Sequence, residues 1–113
     1  MAFTFKKTDT FAVQVAVEMP TDDPKKPNKG TITARYKHLS REQLAALQAD
    51  LAARELTDEQ FLDRYLVGVS GIGGDDGELP AAEQRSLVYS EPALTLAVVR
   101  AFFDAVTGAA RKN

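Results

Sequence analysis

The sequence predicts an α+β fold, with a small N-terminal antiparallel β-hairpin or meander packed on a C-terminal helical bundle. Three observations predict it. Residues 11–19 and 32–38 alternate with period two, residues 40–67 contain two helix starts of the same design, and residues 92–108 are apolar almost all the way round a helix. The length, 113 residues, predicts one domain, 1–113, with a β-hairpin region over 1–39 and a helical region over 40–113.

In the first strand Phe11, Val13, Val15, Val17 and Met19 alternate with Ala12, Gln14, Ala16 and Glu18, the pattern of a half-buried strand. Ile32, Ala34, Tyr36 and His38 alternate in the second with Thr33, Arg35 and Lys37. Between them, residues 20–30 hold three prolines, mixed charge and a final glycine, which predicts a long connection rather than a tight turn. Phe3 and Phe5 also alternate and suggest a short leading strand. So small a meander is marginal alone and needs helices over one face.

The period then changes. Ser40 with Gln43 forms a capping box, and Leu39 with Leu44 a hydrophobic staple around it. Thr57 with Gln60, flanked by Leu56 and Phe61, repeats the device. Asp58 and Glu59 add negative charge to the first turn, where the helix dipole favours it. The first helix is expected to run to about Ala53 with Leu44, Leu47 and Leu51 on one face. The second is expected to run to about Val67 with Phe61, Leu62, Tyr65, Leu66 and Val69 inward.

Residues 68–79 read as a glycine-rich acidic loop. Pro80 suits the first turn of a short helix carrying Leu87, Val88 and Tyr89. Ser90 is the expected N-cap of the last helix and Gly108 its stop, before a basic tail, Arg111-Lys112-Asn113. On a wheel of about 100° per residue, Arg100, Asp104 and Thr107 of this helix share one narrow stripe. Leu94, Val98, Phe102, Val106, Val99, Phe103 and Leu96 occupy most of the remaining arc. Such a helix must be enclosed by its own domain or by another chain. If Leu94, Val98 and Phe102 face the core, then Leu96, Val99, Phe103 and Val106 form a second apolar face bordered by Arg100. These five residues are the candidate partner-binding set.

Net charge is −2, so no global field draws nucleic acid or anionic lipid. Cysteine is absent, which removes disulfides and thiolate metal sites and suits a reducing compartment. The first residues lack the long apolar core of a signal peptide, and no apolar run reaches the roughly 18 residues of a membrane span. A location in the cytoplasm is expected.

No catalytic set, cofactor site or metal site is expected. His38, the single histidine, ends a strand, and no nucleophile-elbow sequence frames Ser40, Ser70, Ser86 or Ser90. The run Gly71-Ile72-Gly73-Gly74-Asp75-Asp76-Gly77 misses the last glycine of a dinucleotide fingerprint, and its two aspartates would repel a phosphate. It also lacks the spaced ligands of a calcium loop. Asp22, Asp23 and Glu18 lie on or beside a proline-rich segment with nothing rigid to hold a metal. Lys25, Lys26 and Lys29 have no interleaved aromatics and read as a solubilising tip.

The order of motifs from residue 40 onward resembles the tail assembly chaperones of long-tailed (siphovirus-type) bacteriophages and prophages. The carrying features are the helix from Thr57, Val67-Gly68-Val69, the turn Gly74-Asp75-Asp76-Gly77-Glu78-Leu79-Pro80, a short helix, and an apolar helix running from Phe102-Phe103-Asp104 to Arg111-Lys112-Asn113. Members of that family typically show a V-x-G-W/V step and a D-x-D/E-G-x-x-L-P turn after the second helix, and end near a Lys-Asn pair. Here Val69 stands where an aromatic is common, and the turn carries extra glycines.

The resemblance implies a non-enzymatic protein of the host cytoplasm, absent from the mature virion. It implies binding to the tape measure protein, self-association into a homo-oligomer, and contact with the tail tube protein through an extended, frameshifted form. A head–tail connector, a tail tube component or a small ligand-binding domain are the alternatives that the residues leave open.

Overall fold

The computed structural model describes residues 8–74 and 77–107. The suggested leading strand at Phe3 and Phe5, the acidic tip at Asp75 and Asp76, and the stop and tail from Gly108 onward lie outside the described residues. The fold is α+β: a three-stranded antiparallel sheet with four helices packed against it.

Strand β1, Thr10–Met19, pairs with β2, Asn28–Lys37, over its full length, from Thr10↔Lys37 to Met19↔Asn28. Val15, Val17, Ile32, Ala34 and Tyr36 are buried on one face, as the alternation requires. The ladder starts at Asn28, so the connection is shorter than expected and internally bonded. The Thr21 hydroxyl donates to the Lys26 carbonyl at 2.9 Å, and the Asp23 carboxylate accepts from the Lys25 N–H at 2.9 Å.

Helix α1, Arg41–Ala52, and helix α2, Asp58–Tyr65, start at the expected capping boxes. Ser40 Oγ accepts from the Gln43 N–H at 3.2 Å, and Gln43 Oε1 accepts from the Ser40 N–H at 2.9 Å. Thr57 and Gln60 repeat the exchange at 3.1 and 2.9 Å. Helix α1 ends in a Schellman turn: the Glu55 N–H reaches the Asp50 carbonyl and the Arg54 N–H reaches that of Leu51. Arg54 takes the left-handed position there, with φ of 59°, a place usually given to glycine.

Two expectations are corrected between residues 66 and 80. Helix α2 stops at Tyr65 instead of Val67, and Leu66–Ser70 is strand β3, antiparallel to β2 on the side away from β1. The glycine-rich run that follows is no open loop. Strands β4, Gly73–Gly74, and β5, Gly77–Glu78, form a small second hairpin. Gly71 makes the turn into it with φ of 98°, and a Cβ there would sit 3.3 Å from the Ile32 backbone, so a larger residue would be strained.

Helix α3, Ala81–Ser90, and helix α4, Pro92–Thr107, meet at 96°. Ser90 belongs to α3, which corrects its expected capping role. Glu91 is the joint, its carbonyl accepting the first bonds of α4 from the Leu94 and Thr95 N–H groups at 3.0 Å. Pro92 follows as the first helical residue, where its missing N–H costs nothing. Thr95 Oγ1 ties the corner by donating to the Val88 carbonyl and, at 3.2 Å, to that of Glu91.

Helix α4 is the hub. It packs against β1, α3 and α2, and buries Leu94, Val98 and Phe102. Phe102 sits among Phe11, Tyr36 and Phe61, with ring centroids 5.1–6.0 Å away. The Tyr36 hydroxyl crosses this apolar layer and donates to the Val98 carbonyl at 2.7 Å. Burial pushes its phenol above the usual tyrosine value.

Candidate functional site

The five candidate residues on α4 are divided by the packing around them. Leu96 is 53 % exposed, one of two large hydrophobic side chains in the open among the described residues; the other is Val67 in β3, at 44 %. Val99, Phe103 and Val106 are half-buried and pack against the core. Phe103 leans toward α2, its ring 5.6 Å from Phe61 and 5.1 Å from Phe102. Arg100 is exposed on the flank toward β1, where it lines a shallow groove with residues 13–16. Val106 lies at the far end, in a groove of about 600 Å³ with Phe11, Leu39, Leu44 and Ala105. The condition on which the second face was drawn is met, since Leu94, Val98 and Phe102 are the core side, whereas Phe103 and Val99 serve the fold as much as any contact.

The second apolar face thus narrows to Leu96, with Val99 and Phe103 partly open beside it. This surface can make non-directional apolar contact, rimmed by one cation. His38 is exposed on the Val106 groove with Ser40 and Arg41 beside it. Among the described residues no three histidine or carboxylate side chains converge closely enough to hold a metal ion. No single helix among them is long and apolar enough to cross a membrane.

A polar cluster that sequence reasoning missed joins α3 to the sheet. Gln84, a buried residue with 2 % exposure, uses both ends of its amide. Its Oε1 accepts from the Ile72 N–H at 2.9 Å, and its Nε2 donates to the Leu79 carbonyl at 2.7 Å and to Glu78 Oε2 at 3.1 Å. Glu78 Oε2 also accepts from the Gly71 N–H at 3.3 Å. The Gln84 amide, and then the Gly71 N–H, hold the Glu78 carboxyl below its ordinary pKa.

Next to Gln84, Arg85 Nη1 donates to the Leu66 carbonyl at 2.9 Å, and one turn on the Tyr89 hydroxyl donates to Asp63 Oδ1 at 2.6 Å. Burial, and then the Asp63 carboxylate, raise the Tyr89 phenol. All these groups satisfy backbone and side-chain partners of the fold, so the cluster is a staple. A glutamine four residues into a helix, after a turn rich in glycine, is too weak a signal to have announced it. No known protein family, curated protein or solved structure matches this chain.

Proposed function

We propose that this protein is a tail assembly chaperone of a long-tailed bacteriophage or prophage, a non-enzymatic protein that holds the tape measure protein in solution while tail tube subunits assemble around it. Two things support the reading. The first is the order of motifs from residue 40 to Asp104. The second, which carries it, is Leu96, 53 % exposed on a helix whose opposite side reaches zero exposure at Val98 and Phe102. Fully burying a leucine is worth about 1.5–3 kcal/mol, so modest contacts repeated along a long helical partner suffice for a coat that later leaves. Work in the host cytoplasm, absence from the virion, and contact with the tube through an extended form belong to the same proposal.

Co-expression with the tape measure protein encoded by the same phage or prophage tests it. The wild-type chain is expected to keep that protein soluble and to co-purify with it. Leu96→Asp is expected to lose it while melting as the wild type does. Phe103→Asp is the wrong probe, because Phe103 packs on Phe61 and Phe102. Retention of the partner by Leu96→Asp would remove this helix from the contact. Recovery of the chain from purified virions would identify it as a permanent connector or tube part instead.

A further inference from the structure

The hairpin register decides which backbone groups of β1 point away from the sheet. One step beyond Thr10↔Lys37, in the same register, the His38 N–H donates to the Asp9 carbonyl at 2.9 Å. In an antiparallel ladder, pairs that exchange hydrogen bonds alternate with pairs that do not. Asp9 and His38 belong to the exchanging set, and so do Phe11, Val13, Val15, Val17 and Met19 with their partners. The amides and carbonyls of Thr10, Ala12, Gln14, Ala16 and Glu18 therefore point outward. Among the described residues β1 is an edge, and no backbone partner meets them.

We propose that this edge pairs two copies of the chain, β1 against β1 about a two-fold axis, joining their sheets into one. The register that brings all five outward residues into pairs is centred on Gln14. It sets Ala12 against Ala16 of the second copy, and Thr10 against Glu18. On the exposed face the small alanines leave the seam clear, and no like charges stand opposite. Glu18 of one copy arrives beside Thr10 of the other, whose hydroxyl accepts from Arg35 Nη1 at 3.0 Å. An acidic group thereby meets a basic one, twice by symmetry.

The other face repeats the complementarity. Ala97, Arg100, Ala101 and Asp104 of α4 line a groove of about 240 Å³ along residues 13–16, beside the same edge. An axis at Gln14 brings this stripe against its own copy. The alanines permit close approach, and Arg100 of each chain meets Asp104 of the other. A two-fold contact must be self-complementary, and paired opposite charges flanking small residues meet that requirement. The pairing rests on β1 and this flank of α4, and stands whatever partner Leu96 meets.

Sedimentation of the full chain, alone and across a concentration range, tests the proposal. A particle of twice the 12.3 kDa chain mass is expected. Ala16→Pro removes only an outward N–H, so the β1–β2 ladder keeps its bonds, and dimerisation should weaken roughly tenfold or more. Gln14→Lys, an exposed substitution that opposes like charges across the axis, should also weaken it and covers the case of a misfolded proline variant. Arg100→Glu should weaken the dimer, and Arg100→Glu with Asp104→Arg should restore it. A chain that stays monomeric at every concentration overturns the proposal. So does a dimer indifferent to the two strand variants, or one lost on Leu96→Asp alone.

Discussion

The two edges of the sheet are built on opposite plans. Strand β1 is ten residues long, regular, and carries neither proline nor bulge. Strand β3 is five residues long, contains Gly68, and slips register against β2 at Arg35 and Tyr36. Its outer side is attended by side chains. Arg85 takes the Leu66 carbonyl, and just past the strand Gln84 and Glu78 take the N–H groups of Ile72 and Gly71. Short, bulged and covered edges are the means by which sheets avoid pairing with other chains. The contrast teaches that backbone groups at a sheet margin are met by nearby side chains, by another strand or by water, and that among the described residues only the β3 side has the first kind.

The largest effect should come from the residue that couples both sides. Phe102→Ala removes a ring that touches Phe11 and Tyr36 on the β1 side and Phe61 and Tyr65 on the β3 side. Denaturant unfolding should show a loss of about 3–5 kcal/mol. Amide exchange should quicken at both edges together; acceleration at one alone would mean that they are held separately.

Gln84→Ala should act on one side only. It leaves the Ile72 N–H and the Leu79 carbonyl without their side-chain partner, at about 1–3 kcal/mol. Exchange should quicken at Ile72 and Gly71 while the β1–β2 ladder keeps its protection. Unchanged exchange at Ile72 would show that the staple is dispensable.

The smallest effect is a pH dependence. The Glu78 carboxyl is held below its ordinary 4.5, so its ionised form favours the folded hairpin. That contribution is complete above pH 4.5 and is lost as pH falls through the lowered folded-state value. Protection of the Gly71 amide should drop over this acid range in the wild type and stay flat in Glu78→Gln. A flat wild-type profile would mean that the carboxylate does not hold the turn.

Much of the fold was legible because its signals are local. Strict alternation at Val13, Val15 and Val17 has one reading, and each capping box involves only four consecutive residues. Strand β3 was hidden by its own bulge. The register slip puts its buried residues, Leu66 and Val69, three apart, and with Leu62 they reproduce the spacing of a helix face. The boundary at Ser90 failed because serine suits a cap chemically, whereas the 96° corner forms at Glu91, where Pro92 forbids α3 to continue. On α4 the wheel drew two apolar faces without deciding which is core, because periodicity within one helix carries no information about its neighbours. That α2 covers Phe103 while Leu96 stays open is a tertiary fact.

The Tyr36 hydroxyl gives α4 something that its apolar contacts lack. Hydrophobic burial has no preferred direction, and a helix apolar on most of its circumference can roll on a sheet, or slide by a turn, and still bury similar area. The 2.7 Å bond to the Val98 carbonyl is directional and lies deep in the layer, where an unpaired phenol would be costly. It works as an indexing pin, fixing one angular setting and one axial position of the helix. With that setting fixed, Leu96 stands in the open and Arg100 and Asp104 lie along β1. A single phenol inside the protein, with the Thr95 hydroxyl at the α3–α4 corner, thus helps to set what the outside of this helix presents.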